Sequence, residues 1–319
     1  MTVDKIKHYV FRPLIRLFII VLGVYTILCL VAFLNQEKVL FRSWSAELPM
    51  NWKPSIGYPY EELLINNGQV TENGEEGQLY GIKFLSPKNL GTVLYFHGNA
   101  YSMEVWQKAA VPYLERGFNV VIPTYRGFSK SKGKYNSQTE VLEDAQKWYK
   151  LVSQKEKNLI VVGRSMGTGI ATYIAANWPV DRLLLETPYD SLAGVANQRF
   201  PFNLLPVNLL IKYPMLSKEW INQVKAPIYV IHGTIDGVIR PERVTELLMN
   251  APVALIKWVP GANHLNYTTS MIYTEWLNDA LLNQEVESDK LELAYKPPRK
   301  KNSKQNIDEL KKLLNNFKN

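Results

Sequence analysis

Eight short apolar segments recur between residues 60 and 260, and this recurrence constrains the fold more than any other feature of the chain. Several of them, including VLYF, VVI, LIVV and LLL, are apolar at every position rather than at alternate positions. Strands of this composition are covered on both faces, as in a parallel sheet between two layers of helices. The expected strands are Glu62–Asn66, Leu79–Phe84, Thr92–His97, Asn119–Pro123, Leu159–Gly163, Arg182–Glu186, Ile228–His232 and Ala254–Val259.

Helical periodicity dominates the stretches between most of these segments. The alternation of strands and helices predicts the α/β class, with a mainly parallel eight-stranded sheet and helices on both faces. The expected helices are Met103–Arg116, Ser137–Gln154, Met166–Asn177, Pro241–Met249 and Met271–Asn283.

One interval breaks this alternation. Residues 188–226 separate two expected strands and contain the apolar stretch FPFNLLPVNLLI, residues 200–211. A connection of this length inside a compact domain is usually functional or forms a small subdomain. We predict a helical cap over the edge of the sheet, in which residues 200–211 line a pocket or pack the cap onto the core.

A long uncharged run lies near the N-terminus. Leu17–Leu34 reads LFIIVLGVYTILCLVAFL, which is 18 residues without a charge. As a helix it extends about 27 Å, close to the roughly 30 Å hydrocarbon core of a bilayer. No small-residue cleavage site follows the run, which argues against a removed signal peptide. We predict that residues 1–37 contain a basic segment and a single membrane anchor, with residues 14–34 in the membrane.

Basic residues are concentrated at the two ends of the chain. The formal net charge is +8, but residues 1–16 carry +3 and residues 286–319 carry +4, which leaves +1 for the segment between. A nucleic-acid-binding domain carries its basic stripe on the folded body, so no nucleic-acid partner is expected. Four basic residues precede the apolar run and three follow it closely. This bias predicts a cytoplasmic N-terminus and an extracytoplasmic domain.

The other boundaries follow from changes in composition. Residues 38–60 are rich in Pro and Trp and are expected to form a linker, and residues 61–285 are expected to form the α/β domain. Residues 286–319 form a basic tail, and residues 307–317 within it have apolar positions at helical spacing. This end of the tail is expected to form an amphipathic helix, either on a membrane surface or docked on its own domain.

Metal and cofactor chemistry have little support in the sequence. The chain has one cysteine, Cys29, and four histidines. A disulfide framework and a multi-cysteine metal site are therefore excluded. No glycine-rich dinucleotide-binding or phosphate-binding motif occurs in the sequence. Neither a cofactor nor a metal is expected.

A serine flanked by glycines follows the fifth expected strand. Gly163-Arg164-Ser165-Met166-Gly167 matches G-x-S-x-G, with LIVV before it and a helical stretch after it. In this strand–turn–helix setting the serine hydroxyl is exposed at a strained turn beside a helix N-terminus. Gly163 and Gly167 are expected there because a Cβ would collide with the neighbouring strand and helix. Ser165 is the candidate nucleophile.

A serine hydroxyl needs a general base at neutral pH. Only His232 and His264 follow Ser165 in the chain. His264 lies in PGANH, after the last expected strand, where the base of a strand–turn–helix nucleophile is found. His232 ends a strand and is expected to position the following loop.

The carboxylate that orients the base is expected between nucleophile and base in chain order. Asp236 lies in the loop after the seventh strand, in HGTIDGVI. There it would hold the tautomer of the His264 imidazole and stabilise the imidazolium. Glu186 and Asp190, which follow the sixth strand, stay open as alternatives.

An oxyanion hole needs two backbone N–H groups. The first is expected from Met166, directly after the nucleophile, and the second from the loop after the third strand. That loop reads FHGNA, and within it Asn99 is the expected donor. Gly98 would allow the backbone to approach a substrate closely, and His97 is expected to brace the loop.

With these residues in place, the sequence resembles the α/β-hydrolase superfamily. The segments VLYFHGNA, YRGFSKSKG, IVVGRSMG, LLLETPYDSL, APIYVIHGTIDGVI and PGANH carry the resemblance, in order, over about residues 60–285. It is closest to a membrane-anchored subgroup with HGNA and GRSxG motifs, which includes depalmitoylase-like and lysophospholipid-lipase-like hydrolases. The resemblance implies a Ser165–Asp236–His264 triad with Asn99 and Met166 at the oxyanion hole.

Two positions depart from the pattern of this subgroup. We call the G-x-S-x-G turn, residues 163–167, the elbow. Thr168 follows it at a position where glycine is usual, and Ser129 stands where glycine is common in the RGFSKSKG loop. Both are expected to change the shape of the pocket.

The expected activity is that of a membrane-anchored serine hydrolase. It would cleave a carboxylic ester or thioester of a small-molecule or acyl-lipid substrate through an acyl-enzyme. Two alternatives stay open: an amidase or peptidase on the same fold, and a non-catalytic binding protein that resembles a hydrolase.

Overall fold

A computed structural model describes residues 11–49, 51–70, 74, 76–156 and 158–282 of the 319-residue chain. Most of the basic N-terminal segment lies outside these ranges. So does the tail over residues 286–319, with the amphipathic helix predicted in it.

An eight-stranded sheet forms the centre of the molecule, in the order β1-β2-β4-β3-β5-β6-β7-β8. The pairs β1–β2 and β2–β4 are antiparallel, and all other neighbouring pairs are parallel. The fold class and all eight expected strands are therefore confirmed. The strands are β1 (Tyr60–Val70), β2 (Glu76–Phe84), β3 (Thr92–Phe96), β4 (Asn119–Pro123), β5 (Leu159–Arg164), β6 (Arg182–Glu186), β7 (Ile228–Gly233) and β8 (Ala254–Val259).

Helices lie before, between and after these strands. The expected helix over 103–116 is divided into two short α-helices with a 3₁₀ turn between them. The α-helices are α1 (Arg12–Leu34), α2 (Gln36–Leu40), α3 (Met103–Trp106), α4 (Val111–Glu115), α5 (Gln138–Ser153), α6 (Gly167–Asn177), α7 (Leu192–Asn197), α8 (Val207–Leu210), α9 (Ser217–Trp220), α10 (Pro241–Leu248) and α11 (Met271–Leu281).

Two hydrophobic clusters cover the two faces of the sheet. Alternate residues of one strand enter opposite clusters, since Leu94 of β3 belongs to the first and Val93 to the second. Buried residues of α5, α6 and α10 fill the first cluster, and those of α4 and α11 fill the second. The central strands, such as β3 and β4, are therefore covered on both sides, which explains their continuous apolar runs, whereas the edge strand β1 is largely exposed.

Helix α1 is 23 residues long, and none of its residues is buried. An 18-residue window of this helix has a mean hydropathy of 2.9, so the helix is long and apolar enough to cross a membrane, and it alone passes that test among the described residues. A signal sequence near the N-terminus would pass the same test. The helix is therefore a candidate membrane span.

The chain between α1 and β1 lies against the domain. Phe41 is buried, and its ring packs on the rings of Tyr125, Tyr135 and Tyr213. The segment expected as a linker, residues 38–60, is thus held by contacts with the domain rather than being free of it.

The interval over residues 188–226 contains α7, α8 and α9, together with 3₁₀ turns. The Ser191 side chain caps α7 by accepting a hydrogen bond from the Gly194 N–H. We call residues 188–226 the cap.

Candidate active site

Ser165 lies at the turn between β5 and α6, at the carboxyl end of the parallel strands. Its φ is +52°, a left-handed conformation that is strained for a residue with a side chain. The Ser165 N–H donates to the Glu186 carbonyl on the adjacent strand at 2.9 Å. This hydrogen bond helps hold the turn in its strained shape.

The two flanking glycines are required because the backbone is too close for a side chain. A Cβ on Gly163 would lie 2.4 Å from the Gly167 carbonyl oxygen. A Cβ on Gly167 would lie 2.0 Å from the carbonyl oxygen of Phe96 on β3. The two glycines of the G-x-S-x-G pattern therefore allow β3, β5 and α6 to approach one another closely.

The three residues predicted as nucleophile, base and acid lie in one hydrogen-bonded row. Nε2 of His264 is 3.0 Å from Ser165 Oγ, and Nδ1 of His264 is 2.7 Å from Asp236 Oδ2. An ionised carboxylate only accepts hydrogen bonds, so Nδ1 carries the proton and Nε2 is free to accept the Ser165 proton. The structure thus brings together side chains that are separated by up to 99 positions in sequence.

Asp236 is buried, and its environment favours the ionised form. Burial alone would raise the pKa of this carboxyl, but hydrogen bonding to His264, the nearby histidines and the Ile239 N–H together lower it. Its other oxygen, Oδ1, accepts from the N–H groups of Val238 and Ile239 at 2.7 and 2.9 Å. The carboxylate is therefore held rigidly where it meets the imidazole.

His232 is fully buried behind this carboxylate. Its Nε2 lies 2.9 Å from the Ile239 carbonyl oxygen and 3.6 Å from Asp236 Oδ2. Burial lowers the pKa of His232 to about 4, so the ring is neutral at pH 7 and Nε2–H can donate to Ile239. His232 therefore ties together the two ends of the loop that carries Asp236.

The loop after β3 passes directly over Ser165. A Cβ on Gly98 would lie 3.7 Å from the Ser165 Cβ and 3.2 Å from the Trp106 ring. His97 is fully buried between the rings of Trp106 and Tyr125, and its Nδ1 lies 2.7 Å from the Gly98 carbonyl oxygen. Burial lowers the pKa of His97 to about 4, so this ring is also neutral at pH 7.

Both residues expected at the oxyanion hole, Asn99 and Met166, line the cavity that Ser165 faces. The peptide that follows each of these residues is held by a hydrogen bond: the Asn99 carbonyl accepts from the Arg42 N–H at 3.0 Å, and the Met166 carbonyl accepts from the Tyr189 hydroxyl at 3.0 Å. The chain that follows α1 and α2 thus braces the loop after β3.

The cavity in front of Ser165 has a volume of about 210 Å³ and a predominantly apolar lining. Residues of the cap form much of it, and residues of α1 and α2 also contribute. Its lining includes Leu192, Val195, Phe202, Leu205, Val207 and Leu210 from the cap, and Ala32, Gln36, Val39 and Leu40 from the N-terminal helices.

The two departures from the subgroup pattern are accommodated outside this cavity. Thr168 is fully buried, and its hydroxyl donates to the Ser165 carbonyl at 2.6 Å. Ser129 adopts a φ of +54°, which explains why glycine is common there, and its hydroxyl accepts from the Met103 N–H. Neither residue lines the described cavity, contrary to the expectation that both would reshape it.

The alternative acids have other partners. Asp190 pairs with Arg243 at 3.3 Å and accepts from the Ser191 hydroxyl. Glu186 is buried and accepts hydrogen bonds from four tyrosine hydroxyls at 2.8–3.2 Å. These hydroxyls belong to Tyr95, Tyr113, Tyr267 and Tyr273.

The Glu186 cluster is a part of the site region that the sequence did not reveal. Burial and the charge of Glu186 raise the pKa of all four tyrosines, so their hydroxyls remain donors. Arg164 directly precedes Ser165 in the chain. Its Nε lies 4.0 Å from the Glu186 carboxylate, and its guanidinium group lies over the rings of Trp106 and Tyr267. The tyrosines come from four separate segments, so spacing in sequence gives no sign of them.

The chain is similar to known proteins over much of its length. Residues 91–205 match the family model described as alpha/beta hydrolase fold. The chain has the α/β-hydrolase fold. The resemblance seen in the sequence is therefore confirmed at the level of the superfamily.

Curated relatives and solved structures cover most of the same region. The uncharacterized protein Rv2307c of Mycobacterium tuberculosis is 28% identical over 248 residues, which is 75% of this chain and 87% of the relative. The lysophosphatidylserine lipase ABHD12 of Danio rerio is 23% identical over 57% of this chain and 54% of the relative. The Pyrococcus furiosus esterase Pf2001 superposes with a TM-score of 0.57 and 21% identity, over 74% of this chain and 97% of the esterase.

The elbow packing predicts a strong effect of one added methyl group. Gly167→Ala would place a Cβ against the Phe96 carbonyl, so we expect a loss of about 3 kcal/mol in the free energy of unfolding. Gly237→Ala is the matched control, because no atom lies within 4 Å of the added Cβ. It should change stability by less than about 0.5 kcal/mol. Chemical denaturation in detergent measures both, and equal stability of the two variants would contradict the packing described.

The two buried histidines predict an acid-sensitive fold. Because the pKa values of His97 and His232 are lowered to about 4, the unfolded chain binds protons at a higher pH than the folded chain does. Stability should therefore fall as pH drops from about 6.5 to about 4, by roughly 2 kcal/mol per histidine between pH 7 and 4.5.

The variant His232→Gln separates this effect from other acid effects. The glutamine amide can still donate to the Ile239 carbonyl but has no proton to gain in this range. Denaturation midpoints measured from pH 7 to 4.5 should therefore fall less steeply in the variant. A slope as steep as that of the unaltered protein would show that His232 is not the titrating group.

Proposed function

We propose that this chain is a membrane-anchored serine hydrolase that cleaves carboxylic ester or thioester bonds of acylated substrates through an acyl-enzyme. The observation that carries the proposal is the hydrogen-bonded row of Ser165, His264 and Asp236, with distances of 3.0 and 2.7 Å. Nucleophilic catalysis by serine needs this arrangement: a hydroxyl next to a base whose other nitrogen is held by a carboxylate.

Acylation begins with attack of Ser165 Oγ on the substrate carbonyl carbon, while His264 Nε2 takes the hydroxyl proton. The imidazolium that forms is stabilised by the buried Asp236 carboxylate, to which Nδ1–H already donates. The oxyanion is stabilised by the N–H groups of Asn99 and Met166. His264 then returns its proton to the departing alcohol or thiol, which leaves an acyl ester on Ser165.

Deacylation repeats these steps with water as the nucleophile. His264 Nε2 takes a proton from a water molecule while the oxygen of that water attacks the acyl carbonyl carbon. His264 then donates this proton to Ser165 Oγ as the ester bond breaks. The products are the free carboxylic acid and the restored hydroxyl. His264 remains partly accessible, with 13% of its side-chain surface exposed, so water has a route to the site.

The lining of the cavity favours an acylated substrate. Predominantly apolar side chains border the space in front of Ser165, and they would bury an alkyl chain and exclude water from it. The similar Danio rerio protein is named a lysophosphatidylserine lipase, which is one enzyme of this substrate class. The cap stretch over residues 200–211 is assigned to the acyl pocket rather than to core packing alone.

Helix α1 is assigned as the membrane anchor. Its 23 residues extend about 34 Å, enough to cross the hydrocarbon core with a small tilt. All of its large apolar side chains are exposed in the absence of lipid, which is the arrangement of a helix whose solvent is the bilayer. The distribution of basic residues assigns the domain to the extracytoplasmic side.

Covalent labelling tests the assignment of the nucleophile. A fluorophosphonate probe should label the full-length chain and hydrolysis of p-nitrophenyl butyrate should be measurable. Ser165→Ala should lose labelling and at least about a thousandfold in activity, as expected when the nucleophile of such a row is removed. Ser153→Ala, at the end of α5, should keep both.

The site of probe attachment, determined by mass spectrometry, completes this test. The mass of the labelled peptide should place the adduct on Ser165. Labelling of Ser165→Ala to the same extent as the unaltered chain, or no labelling of a correctly folded chain, would overturn the proposal.

A further inference from the structure

The cavity in front of Ser165 is enclosed by two walls of different origin. The cap supplies one wall through residues such as Phe202 and Leu210, and the N-terminal helices supply the other through Ala32 and Val39. An anchor that served only as a tether would leave the site complete without it. Here the last turn of α1 and the following helix α2 are part of the enclosure.

We propose that the anchor helix forms one wall of the acyl-chain binding site, and that this site takes the acyl chain of a lipid ester directly from the bilayer. This inference rests on the proposed function, because it assumes both the membrane anchor and the Ser165 chemistry. It adds the source of the substrate and a binding role for the anchor.

Specific polar contacts fix α2, which directly follows the anchor helix, against the cap. The Gln36 side chain donates to the Leu210 carbonyl at 2.7 Å and accepts from the Lys212 N–H at 2.8 Å. The Lys212 ammonium group also pairs with Glu37 at 3.1 Å. These contacts hold the two walls at a set spacing, so the cavity between them is a defined site.

A further contact lies deep along α1. The Tyr25 hydroxyl donates to the Leu204 carbonyl at 3.1 Å. Tyr25 precedes Leu34, the last residue of α1, by nine positions, a rise of about 14 Å. If α1 crosses the bilayer, Leu204 lies well inside its hydrocarbon core of roughly 30 Å. The cap therefore extends into the membrane beside the anchor.

The composition of the cap suits that position. Residues 200–211 contain no charged side chain, and Arg199 and Lys212 flank them. Phe200, Leu204 and Leu209 expose 81%, 60% and 86% of their surfaces. Such exposure is costly in water and favourable in lipid.

Backbone groups in lipid need partners within the protein. The N-terminal helices provide two of them for the cap, since Tyr25 of α1 donates to the Leu204 carbonyl and Gln36 of α2 donates to the Leu210 carbonyl. The anchor thus stabilises an irregular segment at membrane depth. A lipid lying beside α1 can then insert its acyl chain between the two walls and place its ester at Ser165.

Narrowing the cavity from the anchor side tests the proposal. Ala32→Trp, in full-length protein reconstituted into phosphatidylcholine vesicles, should block the deep part of the cavity. We expect the ratio of kcat/KM for p-nitrophenyl palmitate to that for p-nitrophenyl acetate to fall about tenfold or more, because methylene groups lose their apolar surroundings. Ala32→Leu should give a smaller fall in the same direction, and fluorophosphonate labelling checks that each variant is folded.

Leu34→Trp is the matched control. It introduces the same ring two residues further along α1, about 200° around the helix from Ala32, at a side chain that is 58% exposed. Its ratio of long-chain to short-chain hydrolysis should match that of the unaltered chain. Equal ratios in the Ala32 and Leu34 variants would overturn the binding role of the anchor.

The depth of the cap is tested by spin labelling. A nitroxide spin label is attached to Leu209→Cys in a Cys29→Ser background. If position 209 lies in the bilayer, the label should be accessible to dissolved oxygen and inaccessible to a water-soluble nickel chelate. A nitroxide on Leu90→Cys, at the opposite end of the strands and 50% exposed, should show the reverse. Access of the nickel chelate to position 209 would overturn entry from the bilayer.

A comparison of two substrates tests whether the acyl chain comes from a lipid ester. Monopalmitoylglycerol in the vesicle should be cleaved faster than an S-palmitoyl peptide at the same concentration, and the reverse order would overturn the choice of a lipid ester.

The activity of the unaltered chain distinguishes failure of this inference from failure of the proposed function. If the unaltered chain neither labels with fluorophosphonate nor hydrolyses the acetate ester, the proposed function itself has failed. If it does both and Ala32→Trp leaves the chain-length ratio unchanged, only this inference has failed.

Discussion

The arrangement of the site depends on a backbone contact that tolerates no side chain. At the elbow, α6 begins so close to β3 that Gly167 passes the Phe96 carbonyl with no room for a Cβ. This approach holds Ser165 in a left-handed conformation. It also places the loop after β3 directly over Ser165, with Gly98 at the point of contact. Ser165, the loop after β3 and the cavity in front of them all take their positions from this junction.

Two buried carboxylates lie close to the elbow, and their surroundings give them different roles. Asp236 meets the His264 ring, and two backbone N–H groups hold its other oxygen. Glu186 meets four tyrosine hydroxyls and stabilises the structure beneath Arg164. The first carboxylate is therefore placed to assist a proton transfer, and the second to hold the elbow in place.

The N-terminal helices and the candidate site form one packed structure rather than two joined parts. Arg42, shortly after α2, donates to the Asn99 carbonyl, and Phe41 packs into the core beside it. Ala32 of α1 and Gln36 of α2 both line the cavity. A single continuous segment thus runs from the candidate membrane span, past the cavity, to the loop over Ser165.

The sequence alone determined the order of the eight strands along the chain, the class of the fold and the strand–turn–helix setting of Ser165. These features are local: apolar runs, helical periodicity and glycines at a tight turn can each be seen within a few residues. The sequence also offered Asp236 and His264 as partners, but it left Glu186 and Asp190 open, because chain order does not measure distance. Only the tertiary structure placed His264 Nε2 at 3.0 Å from Ser165 Oγ. It also placed four tyrosine hydroxyls within hydrogen-bonding distance of the Glu186 carboxylate. It also made α1 a wall of the cavity, because contacts between residues far apart in the chain form only once the sheet, the cap and the helix are packed together.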